Sequence, residues 1–306
     1  MSAVRESLAP AVAEPRTVER RKRPKHSLKQ DWWRHLVGIV SCVFALFPVV
    51  YIVSAAFNDN DSLSSASVIP QKASLHNFGQ ILHNPDAPYV SWFLNTLWIS
   101  VATAASTVLL GAMAAYAFSR FRFRGRRMGM LFLLLIQMFP QLLLIVAIYL
   151  IVLHTGDVFS PLGLNSRLAL VLVYLGGAMG VNTWLIKGFF DSIPSELDES
   201  ARVDGATAAQ VFWGVVLPLA APVLAVVGLF SFVFTVNEFI LASVLLSTRE
   251  KLPLLVGMRG YIDAQYGQHW GPFAAGVLLA SIPAVLLFAF LQRFIVSGLT
   301  QGSVKG

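Results

Sequence analysis

The chain has a single cysteine, Cys42, and only 13% of its 306 residues are charged. One thiol excludes an intrachain disulfide framework. A soluble domain carries about 25% charged residues, and this chain has about half that share. With 56% hydrophobic residues and a mean hydropathy of +0.66, it belongs to the membrane class. One large soluble core would not need apolar runs so long and so numerous. Chemistry is scarce as well. The six histidines, His26, His35, His76, His83, His154 and His269, lie in tails, loops or the ends of apolar runs. Neither H-E-x-x-H nor G-x-S-x-G occurs, so neither a metal site nor a nucleophile is expected. No G-x-x-x-x-G-K-[ST] occurs, so ATP is not bound by a P-loop on this chain.

What the chain does have is six apolar runs, each near or above the roughly 20 residues needed to cross a bilayer. They cover 36–57, 92–118, 128–153, 168–186, 215–246 and 273–296. The expectation is an all-α polytopic membrane protein with six transmembrane helices, the long fifth run being tilted or projecting. Cys42, inside the first run, is expected to pack. A basic tail (1–34) precedes the membrane domain (35–306). The run after Arg20-Arg21-Lys22-Arg23 is of spanning length, without a small-residue cleavage site, so a cleavable signal is not expected.

Basic residues set the orientation. Nine lie before the first run and five between runs two and three: Arg120, Arg122, Arg124, Arg126 and Arg127. The loops after runs one and three hold only Lys72 and Arg167, and the loop after run five holds Arg249, Lys251 and Arg259. Both termini are therefore expected in the cytoplasm, and the net charge of +7 reads as a topology signal, not as a nucleic-acid surface. Gly176-x-x-x-Gly180 and the pair Gly111 and Ala115 have the spacing that lets helices approach closely.

Between runs four and five lies a segment of another character. Glu196, Asp198, Glu199 and Asp204 put four carboxylates in nine residues, followed by Gly205. Ser195-x-x-Asp198 has capping-box spacing, Gly205 suits a left-handed helix stop, and Thr207 suits the cap of a second short helix, 208–213. A capped connector explains the helices. A small, acidic, exposed face is better explained by docking into a groove on another protein. Glu238 is the sole acidic residue well inside a run, which is thin support for an ion-coupled carrier. Ser231, Thr235 and Glu238 are spaced to share a helix face, and with Asn237 they form a candidate translocation path. The loop containing Tyr261, Asp263, Tyr266 and Trp270 is a candidate contact for a soluble partner.

The order Glu199-Ser200-Ala201, Asp204-Gly205-Ala206 and Leu217-Pro218 resembles the EAA loop of ATP-binding-cassette importer permeases, with Ser200 in place of the usual first alanine. Gln137-Met138-Phe139-Pro140, Tyr174-Leu175-Gly176-Gly177, Trp184-Leu185-Ile186-Lys187-Gly188 and the ending Gly298–Gly306 are similar to the six-span permease subunits of maltose/maltodextrin importers. The resemblance implies a type I importer permease fold and an ATPase-coupling loop at 191–218 that includes Glu199, Ser200, Ala201, Asp204, Gly205, Ala206 and Pro218. It implies an inner-membrane location and a second permease subunit as partner. A cytoplasmic ATPase dimer, which carries ATP and Mg, and an external sugar-binding protein that delivers an oligosaccharide are implied with it. No cofactor is expected on this chain. The mechanism implied is alternating access, with the partner permease making most sugar contacts.

Overall fold

A computed structural model describes residues 32–59, 73–263 and 268–302. Every regular element among them is helical, apart from a lone bridge between Asn58 and Ala73. The basic tail up to residue 31 and the last four residues of the ending motif lie outside the described residues. The chain divides into two compact units, 1–48 and 49–306. The described part of the first is the beginning of α1 (Trp32–Phe57), where apolar side chains are exposed, Phe44 to 83%. Cys42 is exposed too, which corrects the expectation that it packs. On a helix with an apolar outer surface, a thiol is one more lipid-compatible group.

The second unit is organised around α3 (Tyr89–Arg120). It packs along α6 (Arg167–Ser192) and α10 (Ala221–Asn237), and α10 packs on α13 (Trp270–Gly302). The reason lies in the faces of α3. Thr103, Thr107, Gly111, Ala112 and Ala115 are small and buried, so the backbones approach and dispersion contacts replace the missing hydrophobic drive in lipid. α2 (His76–His83) supplies Asn77, buried, whose Nδ2 donates to the carbonyls of Ala55, Ala56 and Asn58 at 3.4, 3.1 and 2.7 Å. These are the orphan acceptors at the end of α1, which water cannot satisfy in a buried site.

Helices α1, α3, α6, the segment Gln141–Val158 and the segment Trp270–Ile295 are each long and apolar enough to cross a membrane. Ala208–Leu219 with Ala221–Asn237 makes a sixth, bent by 78°. Six spans agree with the sequence, but two differ in form. The third run is broken. α4 (Arg126–Met138) stops at Phe139, which is extended (φ −75°, ψ 129°) because Pro140 follows it. A tight turn at Gln141–Leu144 then leads into α5 (Ile145–Val158). The fifth run is broken twice. Its first break is at Ala220, between Pro218 and Pro222, and its second is at Glu238 (ψ 120°), after which α11 (Ile240–Leu245) begins. Length alone signalled one tilted helix; the prolines and a capping carboxylate divide it.

α4 crosses α6 at the glycine motif. A Cβ built on Gly180 would lie 2.6 Å from the Leu133 carbonyl oxygen, whereas one on Gly176 meets nothing within 4 Å. Gln137 Nε2 donates to the Gly177 carbonyl at 2.6 Å. The two glycines therefore differ in kind. Gly180→Ala should destabilise the purified protein by about 1–3 kcal/mol through overpacking. Gly176→Ala should be neutral, or stabilising by up to about 1 kcal/mol through helix propensity. Thermal denaturation of both variants checks the pair, and equal midpoints would remove the crossing argument.

Candidate functional site: an anchored acidic helix and a cavity on the fifth span

The acidic segment forms α7 (Ser195–Val203), entered from Pro194. The expected capping box at Ser195 is absent. Pro194 holds the cap position and Ser195 is already helical, so its hydroxyl caps nothing. Glu196 and Asp198 still favour the positive end of the helix dipole. The stop is as expected: Gly205 has φ +88°, and the Ala206 N–H reaches back to the Ala201 carbonyl at 2.9 Å. The real capping box is the next one. Thr207 Oγ1 accepts from the Gln210 N–H at 3.3 Å, and Gln210 Oε1 accepts from the Thr207 N–H at 2.8 Å. That starts α8 (Ala208–Val211), which runs through a widened π turn, Phe212–Val216, into α9 (Leu217–Leu219). The segment is therefore not rigidly continuous with the fifth span, because the 78° bend at Ala220 intervenes.

One residue of α7 turns inward. Asp198 is 4% exposed, and Arg120, the last residue of α3, meets it with Nε at 2.8 Å from Oδ2. The approach is off the hydrogen-bond direction, so this is an ion pair, and Asp198 Oδ1 has no donor among the described residues. Arg120 Nη2 also donates to the Ile193 carbonyl at 3.0 Å. Tyr116 Oη donates to the Ala208 carbonyl at 3.3 Å, and its ring lies 5.1 Å from that of Phe212. Ala112, Ala115, Ile186, Phe190, Val211 and Val216 complete an apolar floor. The outer face stays open. Glu199, Ser200, Asp204, Gly205 and Pro218 are exposed, and Ala201 and Ala206 are half-buried. Val203 is 87% exposed. Neither Arg120 nor Asp198 was singled out from sequence as an anchor, although an arginine closing one span and an acid in a later loop are a visible pair of opposite charges.

The expected polar stripe on the fifth span is divided three ways. Ser231 and Thr235 are buried and line a cavity of about 210 Å³ with Thr103, Gln137, Gln141 and Asn182. Thr235 Oγ1 donates to the Ser231 carbonyl at 2.8 Å, while Ser231 Oγ and Thr103 Oγ1 have no partner among the described residues. Asn237 is elsewhere: its Nδ2 donates to the Val233 carbonyl at 2.7 Å, and it lines a separate, mostly apolar cavity of about 280 Å³. Glu238 joins neither cavity and is outside α10, which corrects the shared helix face. Its Oε1 accepts from the Leu241 N–H at 2.9 Å and its Oε2 from the Ala242 N–H at 3.1 Å, capping α11. Tyr174 Oη donates to Oε2 at 2.5 Å. The carboxylate is a structural cap tied to α6, and these three hydrogen bonds offset the cost of half-burying it within an apolar span.

In the last loop, Tyr261 is 8% exposed, which removes its side chain from any docking surface. Its hydroxyl accepts from Asn84 Nδ2 at 3.2 Å, and burial pushes it above the ordinary tyrosine range. Trp270 is half-buried, with Nε1 donating to Gln268 Oε1 at 3.2 Å. Asp263 is half-buried, and Tyr266 lies outside the described residues. Among the described residues no cluster of metal-ligating side chains occurs.

The spans thus present an anchored, glycine-stopped acidic helix and a half-open cavity whose polar lining is uncharged, on a polytopic membrane protein. The chain belongs to the family of binding-protein-dependent transport system inner membrane components, which it matches over residues 107–301. It is a transport subunit, not an enzyme. It is 38% identical to the galactooligosaccharides transport system permease protein GanQ of Bacillus subtilis, over 89% of this chain and 94% of that protein. It is 35% identical to the maltodextrin transport system permease protein MdxG of the same organism, over 86% and 92%. It is 36% identical to the maltose/maltodextrin transport system permease protein MalG of Vibrio parahaemolyticus, over 90% and 96%. Among solved structures, a chain of a bacterial ABC transporter involved in the import of the acidic polysaccharide alginate shares the fold. Its TM-score is 0.72 at 24% identity, covering 89% of this chain and 99% of that one. A chain of the alginate transporter in complex with an alginate pentasaccharide-bound periplasmic protein has a TM-score of 0.62 at 17% identity, covering 87% and 94%.

Gly205 provides a test of the site's architecture. Its φ of +88° disfavours any Cβ, although a Cβ there would meet nothing within 4 Å. The cost is conformational, about 1–2 kcal/mol for an L-residue and lower for Asn. Gly205→Val should raise the rate of tryptic cleavage after Arg202 by about tenfold, and Gly205→Asn should not. Equal cleavage of all three proteins would show that the stop does not hold α7.

Proposed function

We propose that this chain forms half of the translocation path of an ATP-driven importer of neutral, maltodextrin-type oligosaccharides, and that α7 seats in a groove of the cytoplasmic ATPase. The observation that carries the coupling role is the asymmetry of α7. Asp198 is held inside by Arg120 while Glu199, Ser200 and Val203 are left outside. A force applied to that outer face is delivered to the end of α3 without an intervening flexible joint. On this reading Glu199, Ser200, Ala201, Asp204, Gly205 and Ala206 are the docking face, and Pro218 fixes the turn behind it. ATP and Mg bind to the ATPase dimer, a second permease subunit completes the path, and an external binding protein delivers the sugar. Both termini face the cytoplasm, on the same side as α7. Alternating access follows as the ATPase dimer closes and brings the coupling loops together.

The cavity supports a neutral substrate. Thr103, Ser231, Thr235, Gln137, Gln141 and Asn182 offer hydroxyls and amides, and no charged side chain is among its lining residues. An acidic polysaccharide, as the structural relatives import, would call for cations. A galactooligosaccharide is the second reading, favoured by the 38% identity to GanQ. Uptake by the full importer in proteoliposomes, with maltotriose, a galactotriose and an alginate trimer in competition, tests the proposal. The two neutral sugars should separate, with maltotriose preferred, and alginate should not compete. Ser231→Leu, which fills the cavity, should lower uptake at least about tenfold while the ATPase remains bound. In the same vesicles, a membrane-impermeant maleimide should label Ser200→Cys only from the face where the ATPase binds. Alginate uptake, labelling from the opposite face, or unimpaired uptake by Ser231→Leu would each contradict the corresponding element.

A further inference from the structure

The groove between α4 and α6 is not used by anything described so far. The two helices touch at Gly180 and Leu133 and splay from there, so that at Gly188 a Cβ would meet nothing within 4 Å. The opening is a groove of about 780 Å³. Its floor is apolar and exposed: Met128 is 70% exposed, Leu131 47% and Trp184 54%. Its mouth is cationic. Arg126, Arg127 and Lys187 line it, against one acid, Asp191. That acid is already engaged, by Lys187 Nζ and by Ser119 Oγ, which donates to Oδ1 at 2.7 Å. Arg126 spends one nitrogen on the Ser119 carbonyl at 3.3 Å, and Arg127, exposed, has no acidic partner among the described residues.

We propose that this groove holds one anionic phospholipid, its phosphate at Arg126 and Arg127 and one acyl chain along Met128, Leu131 and Trp184. The match is of charge and of depth. Arg126 and Arg127 stand where α4 begins and Lys187 near the end of α6, which the proposal places at headgroup level, and apolar side chains follow along the helix bodies toward the acyl chains. The tryptophan suits the boundary between the two. A soluble anion would satisfy the mouth and leave the floor wet, so the occupant must be amphipathic. The lipid would wedge the splayed ends of α4 and α6, next to the loop that leads back to Arg120.

Native mass spectrometry of the full importer, released from nanodiscs of phosphatidylcholine with a minority of phosphatidylglycerol, tests this. The wild type should retain one phosphatidylglycerol per copy of this chain. Each arginine near a bilayer surface contributes about a fivefold attraction, so Arg126→Gln with Arg127→Gln should lower retention about 30-fold. Arg122→Gln with Arg124→Gln, in the same loop but not lining the groove, should change it less than about threefold. A photo-crosslinking residue at Leu131 supplies an independent arm that leaves the arginines intact. Adducts with phosphatidylglycerol support the proposal. Equal retention by both double variants, retention of phosphatidylcholine in its place, or adducts with another polypeptide would overturn it, the last by making the groove a subunit interface.

Discussion

The buried ion pair between Arg120 and Asp198 is the contact that fixes the acidic helix α7 to the end of α3. The alternative for either partner is a charge left in a poorly solvated site, which costs about 3–5 kcal/mol when one partner of a buried pair is removed. Two further contacts fix the geometry that the charges hold. Arg120 reaches the Ile193 carbonyl before α7, and Tyr116 reaches the Ala208 carbonyl after it. The acidic helix is thus clasped on both flanks by the last turn of α3. At the opposite end, the same helix holds the loop after α11. Trp92 Nε1 donates to the Arg249 carbonyl at 2.7 Å, and Asn95 Nδ2 donates to the Glu250 and Leu252 carbonyls at 2.7 and 3.0 Å. Thr96 Oγ1 accepts from the Leu254 N–H at 2.7 Å. One continuous helix, α3, thus contacts both the acidic segment and the loop after α11.

The fifth span is broken where α3 is continuous. Its bend at Ala220 separates the coupling segment from the cavity-lining helix α10, and its second break at Glu238 separates α10 from α11. Glu238 keeps that second break ordered by capping α11 and by accepting from Tyr174 on α6. Ser231 and Thr235 thus sit on a helix segment with a break at each end, beside Thr103 on the continuous α3.

Much of this was legible in the sequence, for physical reasons. Six spans follow from run length, and the left-handed stop at Gly205 follows from an acidic helix ending at glycine. Of the two spaced glycines on α6 only Gly180 meets α4, so the spacing marked the helix and not the residue in contact. Other features were misread because the signal was local and the outcome tertiary. Ser195 has capping-box spacing, yet Pro194 takes the cap and Thr207 forms the real box. Glu238 shares helical spacing with Ser231 and Thr235, but spacing cannot register that the carboxylate ends the helix by capping the next one. Tyr261 looked like a loop aromatic open to a partner, but Asn84, far away in sequence, holds its hydroxyl. Arg120 and Asp198 are separated by two spans, and nothing in the local pattern joins them.

The direct test of the account is a charge-exchange cycle at this pair in the assembled importer, with ATP-driven sugar uptake and ATPase binding as readouts. Arg120→Asp alone and Asp198→Arg alone should each abolish uptake, since each buries like charges together. The double exchange should restore uptake in substantial part, with an interaction free energy above about 1 kcal/mol. Additive losses, with no recovery in the double exchange, would contradict the claim that this ion pair transmits motion from α7 to α3.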